Sequence, residues 1–154
     1  MCRLYSTLNT PCPTTNLARD ITGAVMTASS SNPHRIPSRA NNGVQFGGVI
    51  ESWLAADSGP QWLTVDFGEQ RNFNTVRIFQ AGTRIRDYRI EYSNDGVNWT
   101  VIRAWHSIMI QSPQYYQYRH PTTITARYVR LFSGHSAQAA TPIGVFEFEV
   151  YYLP

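Results

Sequence analysis

DYRIEYSNDGVNW, residues 87 to 99, carries the clearest fold signal in the chain. Tyr88, Ile90 and Tyr92 alternate with Arg89 and Glu91. Successive side chains of a strand point to opposite faces, so this segment reads as a half-buried antiparallel strand with one apolar and one charged face. The Asp95-Gly96 pair that follows is the strongest short hairpin signal available, and VIRAW, residues 101 to 105, supplies the returning strand.

The same period of two recurs on both sides of that hairpin. Leu63, Val65 and Phe67 alternate with Thr64 and Asp66 in QWLTVDFG, residues 61 to 68, and Val76 and Ile78 alternate with Arg77 in NTVRIF, residues 74 to 79. VMTAS near residue 25, QYYQY near 116, ARYVRLF near 129 and GVFEFEVYY at 144 to 152 are further strand candidates. In the last of these Phe146, Phe148, Val150 and Tyr152 share one face, which reads as core, while Glu147, Glu149 and Tyr151 share the other. No stretch keeps a helical period and no internal repeat is visible. About eight short strands at close spacing predict an all-β fold, a sandwich or barrel of antiparallel sheets.

Composition bounds the rest. A chain of 154 residues is about one domain, with length enough to bury a core. Its 42% apolar and 15% charged residues fit an ordered globule with a lightly charged surface. All 13 basic residues are arginines; against 10 acids they leave a net charge of +3, scattered along the chain rather than clustered, which argues against nucleic acid as a partner. Aromatics at 13% suit both an all-β core and a sugar-stacking surface. The apolar runs are too short for a transmembrane helix, and MCRLYSTLNTPCPTT has no signal-peptide apolar block. Residues 1 to 16 read as a leader or tether before a domain at 17 to 154, in what we expect to be a piece of a larger secreted protein. Cys2 and Cys12 lie in that leader; they are too few for a zinc site and are either a small disulfide or two free thiols.

Four irregular segments, 29 to 43, 44 to 52, 80 to 86 and 133 to 144, are long for connections in a compact β domain, and long loops on a rigid scaffold are where binding resides. Trp99 reads as a buried strand residue following the Asp-Gly turn. Arg130, on the face opposite Val129 and Leu131, is expected to pair with a strand acid such as Asp66 or Glu149.

Taken in order, RANNG, SW, QWLTVDFG, DYRIEYSNDGVNW, ARYVRL and VFEFEVY resemble the discoidin domain, also called the coagulation factor 5/8 type C domain, over residues 17 to 153. Within it the chain looks closest to the family 32 carbohydrate-binding modules. The resemblance implies a jelly-roll sandwich of the galactose-binding-domain-like kind, with Trp53 and Trp62 at landmark tryptophan positions that the family buries as core. It also implies a structural calcium, or sodium, between a glutamate opening the last strand and a loop of pattern basic-Ala-x-Asp-Gly. Glu147 matches that glutamate, and Asn42 stands at the aspartate position of Arg39-Ala40-Asn41-Asn42-Gly43. By the same likeness, carbonyls of Arg39, Val44, Glu51 and Phe146 complete an oxygen shell of about six to eight ligands. Glu51, where the family usually has threonine, restores the missing charge if its carboxylate turns inward; the alternative for Glu147 is an ion pair with an arginine such as Arg39.

Sugar-binding members hold their ligand at the end of the sandwich beside this metal, with fork donors for hydroxyls and a ring for the C–H face of a pyranose. His34 and Arg35 in the first loop, Arg84 in the third and His135 in the last are the candidate donors, and Phe46, flanked by VQ and GG, is the candidate stacking ring. Tyr115, Tyr116 and Tyr118 are candidates for a longer, shallower polysaccharide surface, with Tyr116 foremost. Leu54 follows Trp53 where many galactose-binding members have histidine, and no aromatic lies between Ser133 and Val145; both departures point away from a standard galactose pocket. The family's rival function is phospholipid or protein binding through apolar loop tips. Phe46, Val49 and Ile50 offer one such tip, but the first loop is polar apart from Ile36 and the third offers only Ala81 and Ile85, which argues against membrane insertion. The expectation is a non-catalytic carbohydrate-binding module that targets a parent enzyme or adhesin to a glycan.

Overall fold

The computed structural model describes residues 15–45, 47–48, 50–81, 85–105, 115–136 and 142–154. Among these residues seven strands form: β1 (Val25–Ala28), β2 (Trp53–Leu54), β3 (Gln61–Gln80), β4 (Ile85–Ser93), β5 (Thr100–Trp105), β6 (Tyr115–Ser136) and β7 (Gly144–Tyr151). Short 3-10 turns occupy Asp20–Thr22 and Pro37–Asn41, the second opened by a proline whose fixed φ suits a first helical turn. All pairings are antiparallel.

The hairpin read at residues 87 to 105 is present. Tyr92 faces Thr100 and Tyr88 faces Trp105 across the β4 and β5 ladder. Its turn is held by side chains: Asp95 Oδ1 accepts from the amides of Val97 at 2.9 Å and Asn98 at 2.8 Å, and Gly96 takes φ +73°. The Asn98 side-chain amide, donating to Asp95 Oδ2 at 2.6 Å, and then these backbone bonds hold the Asp95 carboxyl well below the usual carboxylate range.

Two pairs of expected strands prove to be single long strands. QWLTVDFG and NTVRIF join as β3, and QYYQY and ARYVRLF join as β6. Their shared ladder shifts register between Asp66 and Arg71, where Gly68 adopts φ +79° and donates its N–H to Asp66 Oδ1 at 2.7 Å. A bulge of this kind bends a strand without ending it, so both long strands run through two layers. One layer follows the order β1, first half of β3, second half of β6, β4, β5; the other follows β2, β7, second half of β3, first half of β6. The result is the expected all-β sandwich, built from one sheet folded on itself.

Between the layers sits one core. Leu63, Val65, Val129, Leu131 and Ile90 meet Val76, Ile78, Phe148 and Val150 there, all buried. Side chains of this size each contribute about 1.5–3 kcal/mol by leaving water. Trp53 joins them as expected, fully buried, with Nε1 donating to the Ser30 carbonyl at 3.0 Å.

Several expectations are corrected. Trp62 and Trp99 are half-buried on the outside of the first layer rather than in the core. Trp62 shares the strand parity of Thr64, not of Leu63, and Trp99 lies in the turn before β5, folded over the Arg130 guanidinium at 4.0 Å. Arg130 pairs with neither Asp66 nor Glu149. The β4 and β6 register sets Glu91 opposite it, and the two bond at 2.5 Å, while Arg127 takes Asp66 and Arg77 lies nearest Glu149. Tyr152 lies beyond β7 and is exposed. Of the leader, residues 1–14 lie outside the described residues; Asn16 already belongs to the fold, accepting the Val150 amide at 3.0 Å.

Candidate functional site

One end of the sandwich gathers the segments that the sequence marked for binding. Asn32 donates its amide to the Leu54 carbonyl at 2.8 Å and Leu54 to that of Arg35 at 3.1 Å, which seats the first loop on β2. β2 pairs with the start of β7, Trp53 opposite Val145. Ala55 reaches Ile143 and Ala81 reaches Gly144 through amide bonds of 2.9 and 3.1 Å, and Ile85 pairs with Ser136. The flanks of the third and last loops therefore meet beside the first. Packing here is tight at Gly144, where a Cβ would stand 3.1 Å from the Trp53 carbonyl oxygen and 3.2 Å from the Ala81 Cβ.

At this end β7 turns Glu147 inward. Both its faces are covered, which the apolar and acidic alternation did not foretell: Glu147 is fully buried and Glu149 nearly so. Asn41 pins the first loop over β7 by donating to the carbonyls of Ala18 at 2.9 Å and Ala24 at 3.3 Å. The next turn presents Gly43 at φ +85°, and its amide donates to Glu147 Oε1 at 3.0 Å. The Arg19 guanidinium lies where a Gly43 side chain would stand, its Nη1 1.9 Å from the ideal Cβ position. The second oxygen, Oε2, is buried with no hydrogen-bond partner. Burial pushes the Glu147 carboxyl up to about 8; nearby Glu149 pushes the same way, against the Gly43 N–H and Arg19.

Glu149 is satisfied by contrast. It accepts from Gln45 Nε2 at 2.6 Å and from the Tyr151 hydroxyl at 2.8 Å. Desolvation first, and the bond to Glu149 second, push the Tyr151 phenol up to about 12, so it remains a donor. Arg19, Gly43, Gln45, both glutamates and Tyr151 line an open cleft of about 420 Å³.

The expected metal ligands meet this geometry in part. A buried carboxylate oxygen without a partner is what a hard cation would satisfy, and Glu147 supplies it. Asn42 lies beside it, but its Oδ1 accepts the Val44 amide at 2.9 Å. Glu51 turns outward: its Oε2 lies 3.2 Å from Arg39 Nη1 and 3.4 Å from Asn42 Nδ2. Arg39 thus pairs with Glu51, not Glu147. Among the described residues no three of His, Cys, Asp and Glu converge, so a cation here would lean on neutral oxygens, for which the carbonyls of Arg39, Val44, Glu51 and Phe146 are the ligands implied by the family likeness. That donor set suits a weakly held calcium or a sodium.

The expected sugar contacts divide similarly. His34 is exposed at the tip of the first loop, its amide bonded to Asn32 Oδ1 at 3.0 Å. Arg35 is buried, and its guanidinium donates to the Ser52 hydroxyl, which makes it a support for the loop rather than an exposed fork. His135 lies on β6 opposite Asp87 at the same end; its side chain, like that of Tyr115, lies outside the described residues. So do Phe46, Val49 and Arg84. Tyr116 turns to the core, its ring edge-on to Tyr88 at 5.7 Å, and Tyr118 stands 5.5 Å from the Arg103 guanidinium. Sequence reasoning missed Arg19, Gln45 and Tyr151. Only their proximity to the two glutamates marks them, and no sequence pattern carried that.

Comparison with known proteins fits this architecture. Chitosan-binding module 1 of a chitosanase/glucanase from Paenibacillus sp. IK-5 is 28% identical with a TM-score of 0.76, covering 89% of this chain and 98% of that one. The lectin domain of lectinolysin shares the fold at 21% identity and a TM-score of 0.75, over 93% of this chain and 100% of that one. A family 32 carbohydrate-binding module produced by Clostridium perfringens does so at 20% identity and a TM-score of 0.72, over 90% and 99%. Among curated proteins, mouse (Mus musculus) lactadherin is 32% identical over 95 residues, 54% of this chain but 20% of that protein's length. Residues 25–148 match the F5/8 type C domain, from β1 to within β7. With the folded sheet, the loop-bearing end and the inward glutamate all inside or beside that span, the chain belongs to the F5/8 type C, or discoidin, domain family.

Proposed function

We propose that this domain is a non-catalytic carbohydrate-binding module that holds a parent enzyme or adhesin at a glycan outside the cell. The observation that carries the reading is the convergence of the first loop with the flanks of the third and last loops at one end of the sandwich, beside the Glu147 cleft. The 28% identity to a chitosan-binding module over nearly the whole chain supports it. His34 is the exposed donor of this end, with Arg84, His135 and Phe46 as the further contacts implied by the family pattern. A structural calcium or sodium at Glu147 would fix the first loop against β7. Several acids are already engaged by arginines, Glu51 by Arg39, Glu91 by Arg89 and Arg130, and Asp66 by Arg127, which supports binding rather than acid–base chemistry. Weak affinity at one site suffices for tethering, because attachment to the parent raises the local concentration.

The test is a glycan and polysaccharide array probed with the wild-type domain and with Arg84→Ala, each in calcium and in chelator. Binding that survives chelation and weakens in the variant supports a loop-end site beside a structural ion. Silence from the folded domain sinks the reading.

A second reading, lipid or protein adhesion, draws on exposed Ile36, Val44 and Ile50 near the same end. Sedimentation with anionic vesicles separates it from the first.

A further inference from the structure

The outer face of the first layer carries a groove that shares no lining residue with the Glu147 cleft. Thr27, Thr64, Arg130 and Glu91 stand side by side across β1, β3, β6 and β4. Trp62 and Tyr128 flank that row on the same face, and the turn after β4 brings Gly96 and Trp99 over it. Together they enclose an open groove of about 210 Å³. Typical small-molecule pockets begin near 300 Å³, so this one has room for about a single sugar ring. It opens between the turn after Ser93 and Trp62, which is bonded to Ser29 at the root of the first loop, whereas the third loop enters β4 at Ile85, the strand's other end.

Its chemistry is divided in a particular way. Arg130 is committed, bonded to Glu91 at 2.5 Å and stacked on Trp99 at 4.0 Å, and Tyr128 stands edge-on to Trp99 at 6.4 Å. Those contacts hold Trp99 and Tyr128 in place before any ligand arrives. The Trp62 ring has no aromatic or cationic partner among the described residues, nor do the side-chain hydroxyls of Thr27, Thr64 and Tyr128 or the indole N–H groups of Trp62 and Trp99 have hydrogen-bond partners there. Gly96, at φ +73°, keeps the rim low: a Cβ there would stand 3.7 Å from the Tyr128 ring.

We infer that this groove is a second carbohydrate site, which takes one pyranose ring of a β-linked, gluco-configured glycan. Such a ring has a flat C–H face for the free Trp62 indole and a rim of equatorial hydroxyls for the indole N–H groups and threonine hydroxyls. The local acids are neutralised by arginine, so a neutral or amino sugar fits better than an anionic one. The inference goes beyond the loop-end reading and does not depend on it. Two sites on one module would let it hold one chain or crosslink two.

The test follows the four tryptophan indole resonances of ¹⁵N-labelled protein during titration with chitotriose and, separately, cellotriose. The Trp62 and Trp99 indoles are expected to shift, that of buried Trp53 to stay, and Arg84→Ala to leave the shifts intact. Trp62→Ala should weaken this site about tenfold, and Trp62→Phe, which keeps a ring, only a few-fold. If Trp62→Ala fails to fold, Thr27→Val, on an exposed side chain, should still weaken binding several-fold. Trp62 and Trp99 indoles unmoved at millimolar amounts of both sugars overturn the inference. Binding that is seen on the array but leaves these indoles still would sink this site alone.

Discussion

At the residue scale, Glu147 is the most exposed to test. Its carboxyl is raised from 4.5 to about 8 in the folded state. Between those values the native state binds more protons than the unfolded one, so stability falls as pH rises from 4.5 to 8; below that window the effect is absent, and above it the penalty is complete. In metal-free buffer, Glu147→Gln should remove this decline and raise stability at pH 8 by a few kcal/mol, read from urea unfolding at pH 5 and pH 8. If a cation uses this carboxylate, calcium should raise the wild-type melting temperature and leave the variant unmoved. Occupancy at 100 times Kd contributes about 2.7 kcal/mol. An unchanged wild-type midpoint at 10 mM-scale calcium and at high sodium would remove the metal from the proposal. Gly43→Ala should cost about 2 kcal/mol, because a left-handed φ of +85° strains alanine and its methyl meets Arg19. Glu147 was legible from the sequence as an acid on a strand. Its lack of a partner was not, since Gly43 and Arg19 approach it only through tertiary packing.

At the element scale, the two strands of the hairpin were legible because their signals are local, period two, then Asp-Gly, then period two, whereas the extent of the turn, which takes in Trp99, was not. β3 and β6 were legible only in halves. Polar residues such as Glu69, Gln70 and Arg71 look like a turn, and β3 runs on through them because its ladder with β6 resumes at Arg71 opposite Ala126. Gly68→Ala isolates the backbone contribution to that bulge. A Cβ there meets nothing within 4 Å, so the expected loss is about 1 kcal/mol, from φ +79° alone. Glu91 joins β4 to β6, bonding Arg89 and Arg130 at 2.5 Å each while almost wholly buried. Glu91→Ala should destabilise by about 3 kcal/mol in chemical unfolding, since it leaves Arg130 partly buried without its counter-charge. A loss below about 1 kcal/mol would mean that solvent already screens the triad.

At the scale of the whole molecule, one apolar cluster spans both layers, so the domain should unfold as a unit. Phe148→Ala, at its centre, is expected to cost about 3–5 kcal/mol and to lower the denaturant midpoint with one unchanged cooperative transition, by fluorescence and circular dichroism alike. Separate transitions would mean that the layers are not one core. What the sequence by itself determined was whatever depends on neighbours along the chain: the all-β class, the strand parity of Leu63, Val65, Ile78 and Phe148, and the hairpin turn. Tertiary structure alone decided what depends on neighbours across space. It joined four strands into two, paired Arg130 with Glu91, moved Trp62 and Trp99 from core to groove, and left one oxygen of Glu147 without a partner. The division has a physical cause: side-chain parity and turn geometry are set by the covalent backbone within a few residues. Ion pairs, grooves and buried charges are set by strand register, which brings together residues as far apart as Gly43 and Glu147.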